Sequence, residues 1–311
     1  MSVSLSEDLT NFITEFIPER FDELVETYSK PLPETFRVNT LKTTVDECLD
    51  LLGEEAVECK PVRWTRLGFY AEPPGRLSKS LWHLLGLVYI QGPVSMLVSE
   101  LLDVRPGERV LDLCAAPGSK STHIGQSLAG RGVLVANDVS RTRIKALTSN
   151  LQRCGVLNCV VTLADGRYLG FKMPDYFDRV LVDAPCSSLG VAAKDWSILK
   201  KWSSKLSERM GRLQKSLLFS GFRALKPGGQ LVYATCTYHP LENEAVVSAL
   251  LDEFENAALV DIQVNGLSFS RGVECWRRLS FRDEVKKAIR IYPFQSGAEG
   301  FFIAKVVKKV A

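Results

Sequence analysis

From residue 96 onward the chain alternates strand-like and helix-like segments, and that alternation restricts the folds open to it. SMLVSELLDV has helical periodicity, RPGE turns the chain, RVLDLCAA is a strand, and PGSKSTHIGQSLA leads through a loop into a helix. GVLVANDV and CVVTLAD are strands flanking the helical SRTRIKALTSNLQRCG, and FDRVLVDAP is a fourth strand. A helical region over 198–225 precedes the strand QLVYATC, and LENEAVVSALLDEF is again helical. Strands separated by helices lie parallel, with helices on both faces of the sheet. AIRIYPF and GFFIAKVVKK, joined by the short QSGAEG loop, form a closing hairpin that adds an antiparallel edge.

The first part of the chain is different. Residues 4–30 place apolar and acidic residues at helical spacing, FRVNTL is a short strand, and an amphipathic helix begins near Thr44. KPVRWTRLGFYAEPPG is loop-like with pieces of strand, stopped by Pro-Pro-Gly. Residues 1–95 are expected to form a small N-terminal α/β domain and residues 96–311 the larger one.

The make-up of the chain excludes several classes. With 46% hydrophobic and 24% charged residues it is a folded globular protein. No apolar run is long enough for a membrane span, and MSVSLSEDLTNFITEF has neither the basic start nor the apolar core of a secretory signal. A cytoplasmic protein with no membrane partner is expected. Eight cysteines form no C-x-x-C pair, and three histidines complete no ligand set, so no metal is expected. The first sixty residues carry 14 Asp/Glu against 5 Lys/Arg, which leaves the remainder strongly basic and suited to a polyanionic partner.

In an open α/β sheet the ligand sits beyond the carboxyl ends of the strands. There the first strand runs into CAAPGSK, 114–120, whose small residues admit a ligand and whose following helix offers free N–H groups. GSKST echoes a phosphate-binding loop, but Ser119 and Cys114 stand where that motif needs glycine, and the dinucleotide fingerprint is absent. Asp138 ends the second strand, where ribose hydroxyls bind, and Asp165 ends the third, where an adenine amino group can be held. Aspartates after strands are also ordinary helix N-caps. Two at successive strand ends, beside a loop too poor in glycine to wrap a pyrophosphate, point to S-adenosylmethionine.

Two further strands each end in a cysteine: DAPCSS carries Cys186, and ATCTYH carries Cys236. A pair of buried, inert thiols would explain either one alone. Adjacent strands would bring both to the cofactor, and that suits methylation at carbon 5 of a pyrimidine. A thiolate adding to carbon 6 makes carbon 5 nucleophilic, and a second thiol can assist its release. Asp183, on the same loop as Cys186, can hydrogen-bond the ring at N3 or the exocyclic amine, as base or adduct stabiliser. The residues by themselves do not choose which thiol is the nucleophile.

CAAPGSK, DAPCSSLG and ATCTYHPLENEAVV, in this order, resemble the NOL1/NOP2/Sun family of RNA cytosine-5 methyltransferases, and RVNTLK, YIQGPVSM, LKPGG and GFFIAK extend the likeness over nearly the whole chain. The resemblance implies a Rossmann-like methyltransferase fold with a mostly parallel seven-stranded sheet. It implies that Cys114, Ala115, Ala116, Pro117, Gly118, Ser119 and Lys120 line the cofactor. Asp138 would hold the ribose with Arg143 nearby, Asp165 would contact adenine, and Asp183 would lie near both donor and base. It makes Cys236 the nucleophile and Cys186 the releasing thiol. It also implies an RNA partner, tRNA first and ribosomal RNA second, for a compact monomer. The chain departs from the family pattern where YIQGPVSM replaces YIQDPSSM and where DAPCSS lacks the common glycine after serine.

The segment 193–226 carries nine Lys/Arg and two acidic residues, with Trp196 and Trp202 among them. It is a candidate wall for an RNA channel, although tryptophans at such spacing also pack inward. Two other functions compete: a non-enzymatic RNA-binding or assembly factor with a relic cofactor fold, and a dehydrogenase on a similar sheet.

Overall fold

The computed structural model describes residues 4–310. Four strands, β1 (Thr35–Val38), β2 (Glu58–Pro61), β3 (Gly68–Glu72) and β4 (Val88–Ile90), form an antiparallel sheet in the order β2-β3-β1-β4. The helix Val45–Glu54 begins as expected at Thr44, whose side chain accepts from Glu47 N while Glu47 bonds back to Thr44 N. The helix packs Cys48 and Leu52 into a small cluster with Phe36, Val38 and Leu77.

The second sheet is built on the parallel strands β5 (Arg109–Asp112), β6 (Val133–Asp138), β7 (Cys159–Leu163), β8 (Phe177–Asp183) and β9 (Leu225–Thr235). Four shorter or antiparallel pieces follow: β10 (Ala257–Val260), β11 (Ser270–Arg271), and the small hairpin β12 (Cys275–Trp276) with β13 (Leu279–Ser280). The chain closes with β14 (Ile289–Ile291) and β15 (Phe301–Lys308). The order β14-β15-β9-β8-β5-β6-β7 contains the seven strands expected; β15 alone runs against the others, since it pairs antiparallel with both β9 and β14 and so leaves β14 pointing the same way as the five parallel strands. Among the described residues the sheet has nine strands, not seven, because β10 pairs with the far half of β15 and β11 with β14. The closing hairpin is correspondingly not a bare edge, and its connection holds the short helix Pro293–Ser296 rather than a simple turn.

The order reverses at β5: β6 and β7 lie on one side of it, β8 and β9 on the other. This topological switch point opens a crevice at the carboxyl ends of the parallel strands. The alternation of apolar residues in β8 and β9 feeds two cores, one on each face of the sheet. Val180, Val182, Leu231 and Tyr233 face one, and Leu181, Val232 and Ala234 face the other.

The helical region expected over 198–225 is two helices, Ser197–Lys201 and Ser204–Ala224. The break falls at Trp202, 2% exposed, which turns inward and stacks on Phe12 with ring centres 5.2 Å apart. Trp196 donates its indole N–H to the carbonyl of Tyr28 at 2.8 Å. Both rings are therefore held by the two helices at the start of the chain, Glu7–Phe16 and Phe21–Ser29, and neither is offered to a base. These helices share a hydrophobic cluster with the larger sheet: Leu9, Phe12, Ile13, Leu24 and Tyr28 pack with Trp202, Tyr238 and Trp276.

One arginine fastens the small sheet to the large one. Arg37 on β1 is completely buried and donates to Gln126 Oε1 at 2.9 Å, Gln91 Oε1 at 2.6 Å and Thr122 Oγ1 at 3.1 Å. Two of these acceptors lie on the helix Ser119–Leu128, which follows β5 at the crevice.

His239 sits in the same aromatic cluster, with its ring centre 4.6 Å from Phe12 and 5.6 Å from Trp202. Burial, with the nearby Arg290 charge, lowers its pKa to about 3. Between that value and the ordinary one near 6.5 the unfolded chain binds a proton that the folded chain does not, so stability falls as pH falls through this window. The expected slope is at most about 1.4 kcal/mol per pH unit. Urea melts at pH 4.5 and 7 will show this loss, and His239→Gln will reduce it.

Candidate active site

Each parallel strand delivers one element to the crevice. β5 leads to Cys114 and Ala116, β6 ends at Asp138, Asp165 follows β7, β8 ends at Asp183 before Pro185 and Cys186, and Cys236 follows β9. All of these line a single cavity of about 410 Å³, together with Arg143, Asn137, Gly166, Ser188, Leu213 and Leu217. Gly166 lets one wall approach, since a Cβ there would come within 3.0 Å of Leu217 and 3.2 Å of Leu113.

The other residues expected at the cofactor support the cavity rather than line it. Ala115 bonds through its N–H to Asn137 O at 2.7 Å, and Asn150 Nδ2 donates to Pro117 O at 2.9 Å. Gly118, at φ +108°, turns the chain into the helix that starts at Ser119. Lys120 reaches back beneath the pocket and pairs with Asp183 at 2.7 Å. Its ammonium also lies 5.2 Å from the centre of the Phe301 ring.

Asp138 is buried at the base of the cavity. It accepts from Ala116 N at 3.1 Å and from Ser140 N at 2.9 Å, with Arg143 3.5 Å away. Asp165 caps the turn Gly166–Tyr168, accepting from Arg167 N at 3.0 Å, and pairs with the Arg167 guanidinium, which holds its carboxyl below the usual range. Asp165 is thus a cap and a wall of the cavity at once. The acceptors Asp138 and Asp165, the apolar walls Leu113, Leu213 and Leu217, and the opening toward the thiols suit a nucleoside carrying a sulfonium side chain.

The two thiols meet. Cys186 Sγ and Cys236 Sγ are 3.1 Å apart, and neither is in a disulfide. The pairing of Asp183 with Ala234 across β8 and β9 fixes this register. A hydrogen-bonded network below holds both loops. Glu242 accepts from Ser187 N at 2.9 Å and from Gln214 Nε2 at 3.0 Å, and Gln214 also donates to Pro185 O at 2.8 Å. Ser187 and Thr237 share a hydroxyl bond of 2.8 Å, Asn243 Nδ2 donates to Thr237 O at 3.1 Å, and Gly190 N donates to Cys236 O at 2.9 Å. Glu242 and Asn243 are completely buried. Their role was not legible in the sequence, where Glu242, Asn243 and Glu244 form an ordinary polar helix start six residues past the second cysteine.

The acidities of the thiols are split. Hydrogen bonding from Cys186 pulls Cys236 below the ordinary thiol value, and the Ser188 hydroxyl and Lys120 act in the same direction against burial and Asp183. Cys186 moves up, through its bond to Cys236 and through burial. Cys114 is pushed well above the ordinary value by burial and by the neighbouring carboxylates, which makes it a poor nucleophile. Asp112 beneath the loop is driven up to about 7 by burial and bonds Ser121 Oγ at 2.6 Å.

Comparison with known proteins places the chain in a family. Residues 99–307 match the family model described as 16S rRNA methyltransferase RsmB/F, and residues 5–93 match the N-terminal domain of 16S rRNA methyltransferase RsmF. The chain belongs to the RsmB/F (NOL1/NOP2/Sun) family. It is an S-adenosylmethionine-dependent RNA methyltransferase. It is 42% identical over 281 residues to tRNA (cytosine(49)-C(5))-methyltransferase of Pyrococcus abyssi, an alignment covering 90% of this chain and 89% of that one. It is 39% identical over 297 residues to ribosomal RNA small subunit methyltransferase F of Klebsiella pneumoniae, covering 94% of this chain but 60% of that one. A solved methyltransferase homolog from Pyrococcus horikoshii superposes with a TM-score of 0.83 at 32% identity, covering 98% of this chain and 100% of that one. No helix among the described residues is long and apolar enough to cross a membrane.

Proposed function

We propose that the enzyme forms 5-methylcytosine in tRNA through a transient bond between Cys236 and carbon 6 of the base. The observation that carries this reading is the contact of two free thiols with opposite shifts in acidity at the mouth of the cofactor cavity. S-adenosylmethionine, when bound, supplies an electrophilic methyl group next to them. Asp138 and Asp165 would hold its ribose and adenine, with Arg143 steadying Asp138.

Cys236 reacts as the thiolate, because Cys186 donates to it. Addition to carbon 6 moves electron density to carbon 5, the atom that takes the methyl group. Asp183, anchored on one oxygen by Lys120, keeps the other for the exocyclic amine of cytosine, which a uracil lacks. Once the Cys236 sulfur is bonded to carbon it no longer holds the Cys186 proton through a charge-assisted bond. The main cause that raised Cys186 is then gone, so Cys186 gives up its proton to solvent more readily, and the thiolate so formed takes the carbon-5 proton. Loss of that proton breaks the carbon–sulfur bond and returns the electron pair to Cys236.

The cavity is too recessed for a base within a duplex, so the target is a loop cytosine or one turned out of its helix. The exposed Lys194, Lys200, Lys201 and Lys205 beside the Cys186 loop supply phosphate contacts. The N-terminal α/β domain, taken as residues 1–95, is the second RNA-binding surface. The tRNA reading is supported by the Pyrococcus abyssi relative, matched over 89% of its length, and cytosine 49 is the proposed target. The ribosomal reading is supported by the bacterial relatives, of which this chain spans 60%.

Labelled methyl transfer onto separate tRNA and 16S rRNA transcripts, followed by bisulfite sequencing, tests the proposal. A non-converted cytosine in tRNA is expected. Label confined to rRNA would establish the second substrate, and RNA binding without label on either would establish the assembly-factor alternative.

A further inference from the structure

The residue between the two thiols is Ser188, and its backbone is unusual. It has φ +62°, in the left-handed region that favours glycine over a residue with a Cβ. That explains why a glycine would be the simpler choice at this turn, and why DAPCSS, with serine there, is a departure. The strain brings a polar group to the reacting atoms. Ser188 Oγ is 3.7 Å from Cys236 Sγ, from which it accepts in the thiol form, and 3.9 Å from Cys186 Sγ. It also donates to Cys186 O at 3.4 Å, and the residue lines the cofactor cavity. The loop cannot easily swing away, because Val191 N bonds Ser188 O at 3.1 Å and Gly190 N bonds Cys236 O at 2.9 Å.

We infer that Ser188 is a further catalytic residue of this two-thiol centre, its hydroxyl turning from the Cys186 carbonyl to donate to the Cys236 thiolate and hold it for attack. This inference rests on the two-thiol reading proposed above. When Cys236 loses its proton, the hydroxyl that accepted from the thiol becomes a donor to the anion. No atom is gained or lost by the serine: its O–H rotates about the Cβ–Oγ bond, and the proton of Cys236 leaves to solvent. A hydrogen bond to a charged sulfur favours the ionised form and so lowers the pH at which the thiolate appears. Cys186 supplies one donor and Ser188 a second to the same sulfur. A glycine at this position would give the turn without the second donor.

Two variants separate the hydroxyl from the backbone. Ser188→Ala keeps the left-handed strain and removes the hydroxyl, whereas Ser188→Gly removes both. The readout is the pH dependence of Cys236 alkylation by iodoacetamide in the free enzyme, measured by peptide mass spectrometry. The exposed Cys275 serves as reference and the buried Cys48 as a check on folding. Both variants are expected to shift the Cys236 midpoint upward by about one pH unit and to slow its alkylation about ten-fold at neutral pH. Ser188→Gly should at the same time melt at the same or a higher temperature than the parent. An unchanged Cys236 midpoint in Ser188→Gly, with Cys48 still protected, would overturn the inference. So would a shift in Ser188→Ala that Ser188→Gly does not share, because that would assign the effect to the backbone. The alkylation profile needs no RNA, so it can succeed even if methyl transfer proves independent of Cys236. That result would refute the nucleophile assignment and leave the serine–thiolate bond standing.

Discussion

Cys236→Ala will abolish methyl transfer, lowering the single-turnover rate by about 10⁴-fold or more, close to 5.5 kcal/mol of barrier. Carbon 5 of cytosine is a weak nucleophile, and no other group in the cavity can replace the sulfur. Cys186 is held in its neutral form, and Cys114 is disabled by burial and by three carboxylates. Cofactor binding, followed by calorimetry, should change little, because the acceptors assigned to the ribose and adenine lie on β6 and after β7, away from this strand end. The fold should also persist. The side chain is half-buried, and the network through Glu242, Thr237 and Asn243 uses the backbone and neighbouring residues, not the sulfur. Methyl transfer surviving in this variant at a tenth of the parent rate would remove the covalent mechanism.

Cys186→Ala will behave differently. The thiolate of Cys236 still forms, although it loses its main donor, and it adds to the base and directs methylation. What fails is the departure. Without the second thiol the carbon-5 proton has no nearby base released by the reaction itself, and the enzyme stays linked to its methylated product. A burst of about one methyl group per enzyme is expected, with a turnover rate reduced on the order of 10²- to 10³-fold. An RNA–protein band that survives denaturant should accumulate during the burst. A uniform slowing with neither burst nor band would show that Cys186 only tunes its neighbour.

Much of this site was legible in the chain because an α/β sheet turns sequence order into position. Once the strands ending at Asp138, Asp165, Asp183 and near Cys236 are recognised, their carboxyl ends must gather at one edge, and the observed cavity contains all four. The meeting of the thiols followed from β8 and β9 being neighbours. The tertiary ties were not legible. The fate of Trp202 depends on Phe12, 190 residues earlier, and Arg37 finds its acceptors on a helix some 85 residues away. The two extra strands are of two and four residues, too short for a period-2 pattern to show. The family resemblance implied that Lys120 lines the cofactor, whereas its side chain spans to Asp183, a direction that a motif cannot reveal. Ser188 was visible only as a missing glycine, and its meaning required the backbone angle.

The most direct test of the covalent account is to map the trapped linkage. Cys186→Ala enzyme incubated with S-adenosylmethionine and its RNA substrate, then digested with nuclease and protease, should yield one modified peptide. The account predicts that this peptide contains Cys236 carrying a methylated cytidine residue. A nucleotide attached to any other side chain, or none in a reaction that has transferred methyl groups, would contradict it.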